Sequence, residues 1–194
     1  MRARLTNCRV NLVKRVKAIQ SHFRFTQEIT GIKPAQEDKL RGIIALCHAE
    51  IEDYFETVAL ILFENAESIW DDKKIANYNM AAFFIRGDRP NENLDLGSMF
   101  FHMKKAFMEK ISKNHGIKQE NIHKLFYPLG YEDKFFDTAL LSQLDSFGSQ
   151  RGNIVHTSAQ KAMQALDQKT VLDMINNIIS LLPDFEGVIL SKII

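Results

Sequence analysis

Residues 40–66, "LRGIIALCHAEIEDYFETVALILFENA", decide the fold class. Leu40, Ile43, Ile44, Cys47, Ile51, Tyr54, Val58 and Leu62 recur mainly at spacings of three and four, the period of one helix face and not the alternation of a strand. At about 1.5 Å per residue, the run is long enough to be the central helix of a bundle.

Reading outward, the same period holds on both sides. Leu5, Leu12, Val16, Ile19 and Phe23 predict a first helix that breaks near Gly31 and Pro34, with the central helix starting after Pro34. Downstream, a shorter helix is expected over 71–86, then a loop at "GDRPNENLDLG", 87–97, whose Gly, Pro, Asn and Asp punctuate turns. Helical pattern returns over 98–114 and 119–126, the latter ended by "YPLG". A long helix is expected from near Glu132 and a last one over 169–182. Only four prolines and nine glycines interrupt 194 residues, so the expected class is all-α. With 45% hydrophobic residues the chain can bury a core without disulfides or metals, and one domain over 1–194 is expected. Trp70 and most of the phenylalanines fall on helices and read as core, not as base-stacking platforms.

The net charge of +1 hides an asymmetry. Residues 1–34 carry eight basic side chains against the single acid Glu28, a local +7 that leaves −6 for the remainder. Such an arm could contact a phosphate backbone, but a charge run is more often a solvated helix face or a partner for the acidic remainder of the same fold. Cys8 and Cys47 form no zinc or redox motif. No run nears the roughly 18 apolar residues of a membrane span, and the opening residues lack the apolar stretch of a secretory signal, so a cytoplasmic protein is expected. "ENIH", Glu120 to His123, has the Glu-x-x-His spacing of di-iron bundles but no second copy, so no metal or other cofactor is expected. Gly-rich phosphate loops and nucleophile elbows are absent from the sequence.

The informative stretch is "SQRGNIVHTSA", 149–159. On a helical wheel Leu140, Leu141, Leu144, Phe147, Val155 and Leu166 cluster on one side, and Arg151 projects within about 20° of the centre of that cluster. His156 lies about 140° from Arg151, near the edge of the same face. An unpaired arginine buried there would cost several kcal/mol. It must therefore be paired, stay wet in a cleft, or face a second subunit. The simplest pairing is with Glu50, Glu52 or Glu56 of the central helix, His156 then being a boundary histidine.

"RGNIVH" resembles the arginine, four to six residues, histidine motif of the HEPN superfamily. "LCHAEIEDYFETV" resembles the acidic-then-aromatic signature of its RiboL-PSP-HEPN group. The resemblance covers about 38–182 and implies an all-α bundle of four core helices plus shorter ones. It implies metal-independent cleavage of RNA, of the defence or toxin type, at a composite site formed by a homodimer. Arg151 and His156 would be catalytic, with Asn153 and Glu52 supporting, and a neutralising or regulatory protein would be a further partner. Active members commonly carry a polar residue, often asparagine, directly after the arginine. Here that position is Gly152, and the asparagine follows as Asn153. A non-catalytic HEPN module that dimerises and binds RNA or a protein is the alternative implication.

Overall fold

A computed structural model describes residues 1–23, 34–90, 93–156 and 167–192. Among them are seven α-helices and no strands: α1 Arg2–His22, α2 Pro34–Lys73, α3 Tyr78–Arg86, α4 Leu96–Ser112, α5 Gln119–Phe126, α6 Thr138–His156 and α7 Gln168–Ser191. Short 3-10 turns at Tyr127–Leu129 and Asp133–Phe135 link α5 to α6.

The central helix is the stretch quoted first. Ile44, Cys47, Ile51, Val58 and Leu62 on α2 are fully buried, and α1 lies along it through Leu5, Leu12, Val16 and Ile19. α7 closes the other side with Val171, Ile175, Ile178 and Leu182. Aromatic rings fill the space where α2, α5 and α7 meet. Phe55 stands edge-on to Phe185 at 5.2 Å between centroids, and Phe126 meets the same ring at 5.3 Å. Edge-to-face pairs of this kind add about 1 kcal/mol beyond the burial of their area. Truncating Phe55 to alanine would cost about 3–5 kcal/mol through the cavity it leaves. Phe101 departs from the core expectation, being 64% exposed on α4.

Three boundaries differ from those expected. α2 runs on to Lys73 and stops at Lys74, whose φ of 57° is left-handed. α3 then starts at Tyr78, with the Asn77 side chain accepting from the Met80 amide. The motif helix starts at Thr138, not near Glu132, because 133–135 form a 3-10 turn and the Asp137 carboxylate accepts from the Ala139 amide at 2.6 Å. α7 continues past Pro183 to Ser191. An internal proline costs a helix about 3 kcal/mol, but Phe185, Glu186 and Ile189 beyond it are buried, and that tertiary anchoring keeps the last turns helical. Asn91 and Glu92 of the expected 87–97 loop lie outside the described residues, and α4 begins at Leu96 behind the capping carboxylate of Asp95.

The corner between α5 and α6 depends on one glycine. Gly130 has φ of +96°, and a Cβ there would come within 2.7 Å of the Tyr78 ring and 2.9 Å of the Ala82 Cβ. Tyr78 also donates its hydroxyl hydrogen to the Gly130 carbonyl at 2.6 Å. The corner in turn fixes how α6 approaches α2.

Candidate functional site

α6 is built on a buried stripe, Leu140, Leu141, Leu144 and Phe147, with the backbone of Gly148 also buried. Arg151 is the next position on that stripe and is half-buried. Val155, assigned to the same face, has a side chain outside the described residues, as has Leu166 altogether.

Two contacts set the register of α6 on α2. Arg41 donates from Nη1 to the Ile154 carbonyl at 3.1 Å, and the His48 ring lies 6.2 Å from that of Phe147. Seven residues forward on α2 thus match seven residues back on α6, so the helices are antiparallel. Arg151 stands level with the Ile44–Ala45 turn. Arg41 also holds Glu37 at 3.0 Å, so one member of a charged pair grips α6 by the backbone carbonyl of Ile154.

The acids that could have neutralised Arg151 are engaged elsewhere. Glu50 accepts from Arg15 at 2.8 Å, Glu52 lies 3.3 Å from Nδ1 of His48, and Glu56 accepts from Asn114 at 3.2 Å. Burial raises the Glu56 carboxyl above the ordinary carboxylate range, reinforced by Glu52 and Asp53. Arg151 has no ion pair or hydrogen bond with any of the described residues. An arginine on an apolar stripe with its candidate partners taken is a cation left available.

Asn153 is exposed, and a Cβ at Gly152 would meet no heavy atom within 4 Å, so the helix surface there is open. His156 is the last residue of α6, and its side chain lies outside the described residues. Glu52 is not brought to Arg151. The antiparallel register sets it about two turns away, and its carboxylate lies 3.3 Å from Nδ1 of the buried His48, itself packed near Phe147 one turn before Arg151. Arg41 and His48 were not singled out in the sequence. The i, i+4 spacings Glu37–Arg41 and His48–Glu52 were their available signal, but pairs of that kind are common on solvated helix faces.

The thiols offer no nucleophile. Burial pushes Cys8 up to about 11 and Cys47 up to about 12, with neighbouring carboxylates adding to both. Among the described residues no three His, Cys, Asp or Glu are placed to hold a metal ion, and no helix is long and apolar enough to cross a membrane. Three arginines of the basic arm are spent within the fold: Arg4 on Glu64, Arg9 on Glu186 and Arg15 on Glu50.

Compared with protein-family models, residues 10–191 match the model described as RiboL-PSP-HEPN. Comparison with curated proteins gives no match, and comparison with solved structures gives none either.

Proposed function

Because the chain belongs to the RiboL-PSP-HEPN family, we propose that it is a metal-independent endoribonuclease of the defence or toxin type, acting at a composite site made by a homodimer. The observation that carries the reading is Arg151, a half-buried cation on the motif helix whose candidate acids Glu50, Glu52 and Glu56 are each bound to another residue. A stripe that is apolar up to Phe147 and then presents a guanidinium with no partner among the described residues suits an interface with a polar, phosphate-sized centre.

In this reading the 2′-OH of one nucleotide attacks the adjacent phosphorus, the bond to the 5′-oxygen breaks, and the products carry a 2′,3′-cyclic phosphate and a 5′-OH. His156 of one protomer takes the 2′ proton, and its copy in the other protonates the leaving oxygen. The planar fork of Arg151 binds the phosphoryl oxygens as charge develops on them. Asn153 supports from the exposed side of the same turn. Glu52 acts indirectly, by holding His48 against the turn that carries Phe147, while Arg41 steadies the carbonyl of Ile154.

The competing reading, a non-catalytic HEPN module that dimerises and binds RNA or a protein, is favoured by one feature. Gly152 leaves bare the position after the arginine, where active members commonly carry a polar side chain. Incubating RNA with the wild type, Arg151→Ala and His156→Ala, each with its mass measured by light scattering, separates the two. The ribonuclease reading expects a dimeric wild type that cuts and two variants that do not. Equal behaviour of all three favours the binding module.

A further inference from the structure

Beside the motif, α5, the 133–135 turn and α6 enclose an open cleft lined by Lys118, Gln119, His123, Lys124, Asp133 and Ser149. His123 is held there more firmly than a surface histidine requires. Its Nδ1 lies 2.9 Å from Asp133 Oδ1, and the other oxygen of that carboxylate accepts from the Gln119 amide at 2.9 Å. Its ring stacks on Tyr127 with centroids 4.7 Å apart and planes 19° apart, and the Arg86 guanidinium lies 4.9 Å from the centroid of the Tyr127 ring. With Nδ1 directed at a carboxylate, Nε2 is the free ring nitrogen, and the side chain is still 45% exposed.

The acids of the cleft are largely spoken for. Asp133 is bound by Gln119 and His123, which keep its carboxyl below the ordinary range against the opposing effect of burial. Asp145 accepts from the backbone amide of Gln119 at 2.7 Å, at the start of α5. Glu120, exposed, has no such partner among the described residues. Lys118 and Lys124 have no ion pair among the described residues. The stem of Lys118 lies across Gly148, where an added Cβ would approach its Cγ to 2.9 Å. What the cleft offers a phosphate is therefore two ammonium groups and the Ser149 hydroxyl, joined by Nε2 of His123 in the imidazolium form of its ring.

The cleft is also in line with the His156 end of the motif, on a side of α6 about 130° around from Arg151. Asp145, Ser149, Gly152 and the backbone position of His156 follow one another at spacings of four, three and four on α6, within about 60° of one another on the helix. From Ser149 to His156 the rise is about 10 Å, which a nucleotide or two of extended strand spans. Gly152, between them, adds no side chain to block the way.

We infer that this cleft is a substrate subsite, in which Lys118, Lys124 and His123 Nε2 hold a phosphate of single-stranded RNA next to the linkage presented at the motif. The inference rests on RNA being the substrate of the motif site. The test is fluorescence anisotropy with a labelled, fully 2′-methoxy RNA strand, which has no 2′-OH nucleophile, so binding is read apart from cleavage. His123→Gln should weaken binding about tenfold, as expected for loss of a hydrogen bond to a charged group. Lys118→Ala and Lys124→Ala should each flatten the plot of log K against log salt by about 0.7, and Lys105→Ala, exposed on α4, should leave binding near wild type. In the wild type, the His123 imidazole resonance, assigned by its absence from His123→Gln, should move when the strand is added. If the wild type binds and the cleft variants bind equally well with an unmoved resonance, the subsite is wrong and the ribonuclease reading stands. Failure of the wild type itself to bind overturns both.

Discussion

α1 and α6 each place arginine against the rest of the fold, and they use it in opposite ways. The first helix holds much of the chain's local positive charge, yet Arg4, Arg9 and Arg15 are bound to Glu64, Glu186 and Glu50. Arg9 goes furthest. Its partner Glu186 is 5% exposed and also accepts from the Tyr54 hydroxyl at 3.1 Å, so the pair sits inside a hydrogen-bonded knot between α1, α2 and α7. α6 contributes Arg151 alone, on an apolar stripe, with its candidate acids already occupied. Charge density is thus a poor guide to the site. The disposition of each cation against its partners separates arginines engaged within the fold from one that has no partner among the described residues.

That contrast can be broken by substitution. Arg151→Ala should lower RNA cleavage on the order of 10²–10³-fold while the melting temperature stays close to wild type, read by product formation and thermal unfolding side by side. A large loss of stability would make Arg151 structural. Arg9→Ala should do the reverse. It leaves the Glu186 carboxylate buried without its cation, costing about 3 kcal/mol in a denaturant titration, with cleavage per folded molecule retained. Arg4→Ala, at a pair about half exposed on both sides, should cost less than about 1 kcal/mol by the same titration. The smallest effect is expected at Glu56. Its folded carboxyl is raised, so its ionisation weighs against the fold as pH rises through the ordinary carboxylate value to the folded one. Glu56→Gln should therefore melt at or slightly above wild type at neutral pH, with the difference closing as pH falls below both values. Melting curves across that window would show the wrong sign if burial were not the cause.

The sequence carried these distinctions unevenly. α5 was legible over 119–126, the α1 positions Leu5, Leu12, Val16 and Ile19 are buried as their spacing predicts, and the α2 stripe is the core. Boundaries set by side-chain caps or tertiary anchoring were not legible. Asn77 and Asp137 look like many other polar residues until their amide partners are placed, and Pro183 reads as a stop unless the burial of Phe185 and Glu186 beyond it is known. At the site, the misfit of Arg151 on an apolar face was visible from periodicity alone. The partners of Glu50, Glu52 and Glu56 were not, because Arg15 and Asn114 lie far away in sequence and the His48–Glu52 pair looks like any i, i+4 surface pair until His48 proves to be 3% exposed. The cleft around His123 was hidden for the same reason: Asp133 reaches it from a turn that periodicity had assigned to a helix.

The most direct test of the ribonuclease account is the chemistry of the product ends in the presence of EDTA. Wild-type protein given RNA should yield fragments with 2′,3′-cyclic phosphate and 5′-OH termini whether or not chelator is present, and a single 2′-deoxy substitution at a mapped cut site should abolish cutting there while neighbouring sites are still cleaved. Cleavage that persists at the 2′-deoxy position, or that vanishes in EDTA and returns with magnesium, would contradict the roles given to Arg151 and His156.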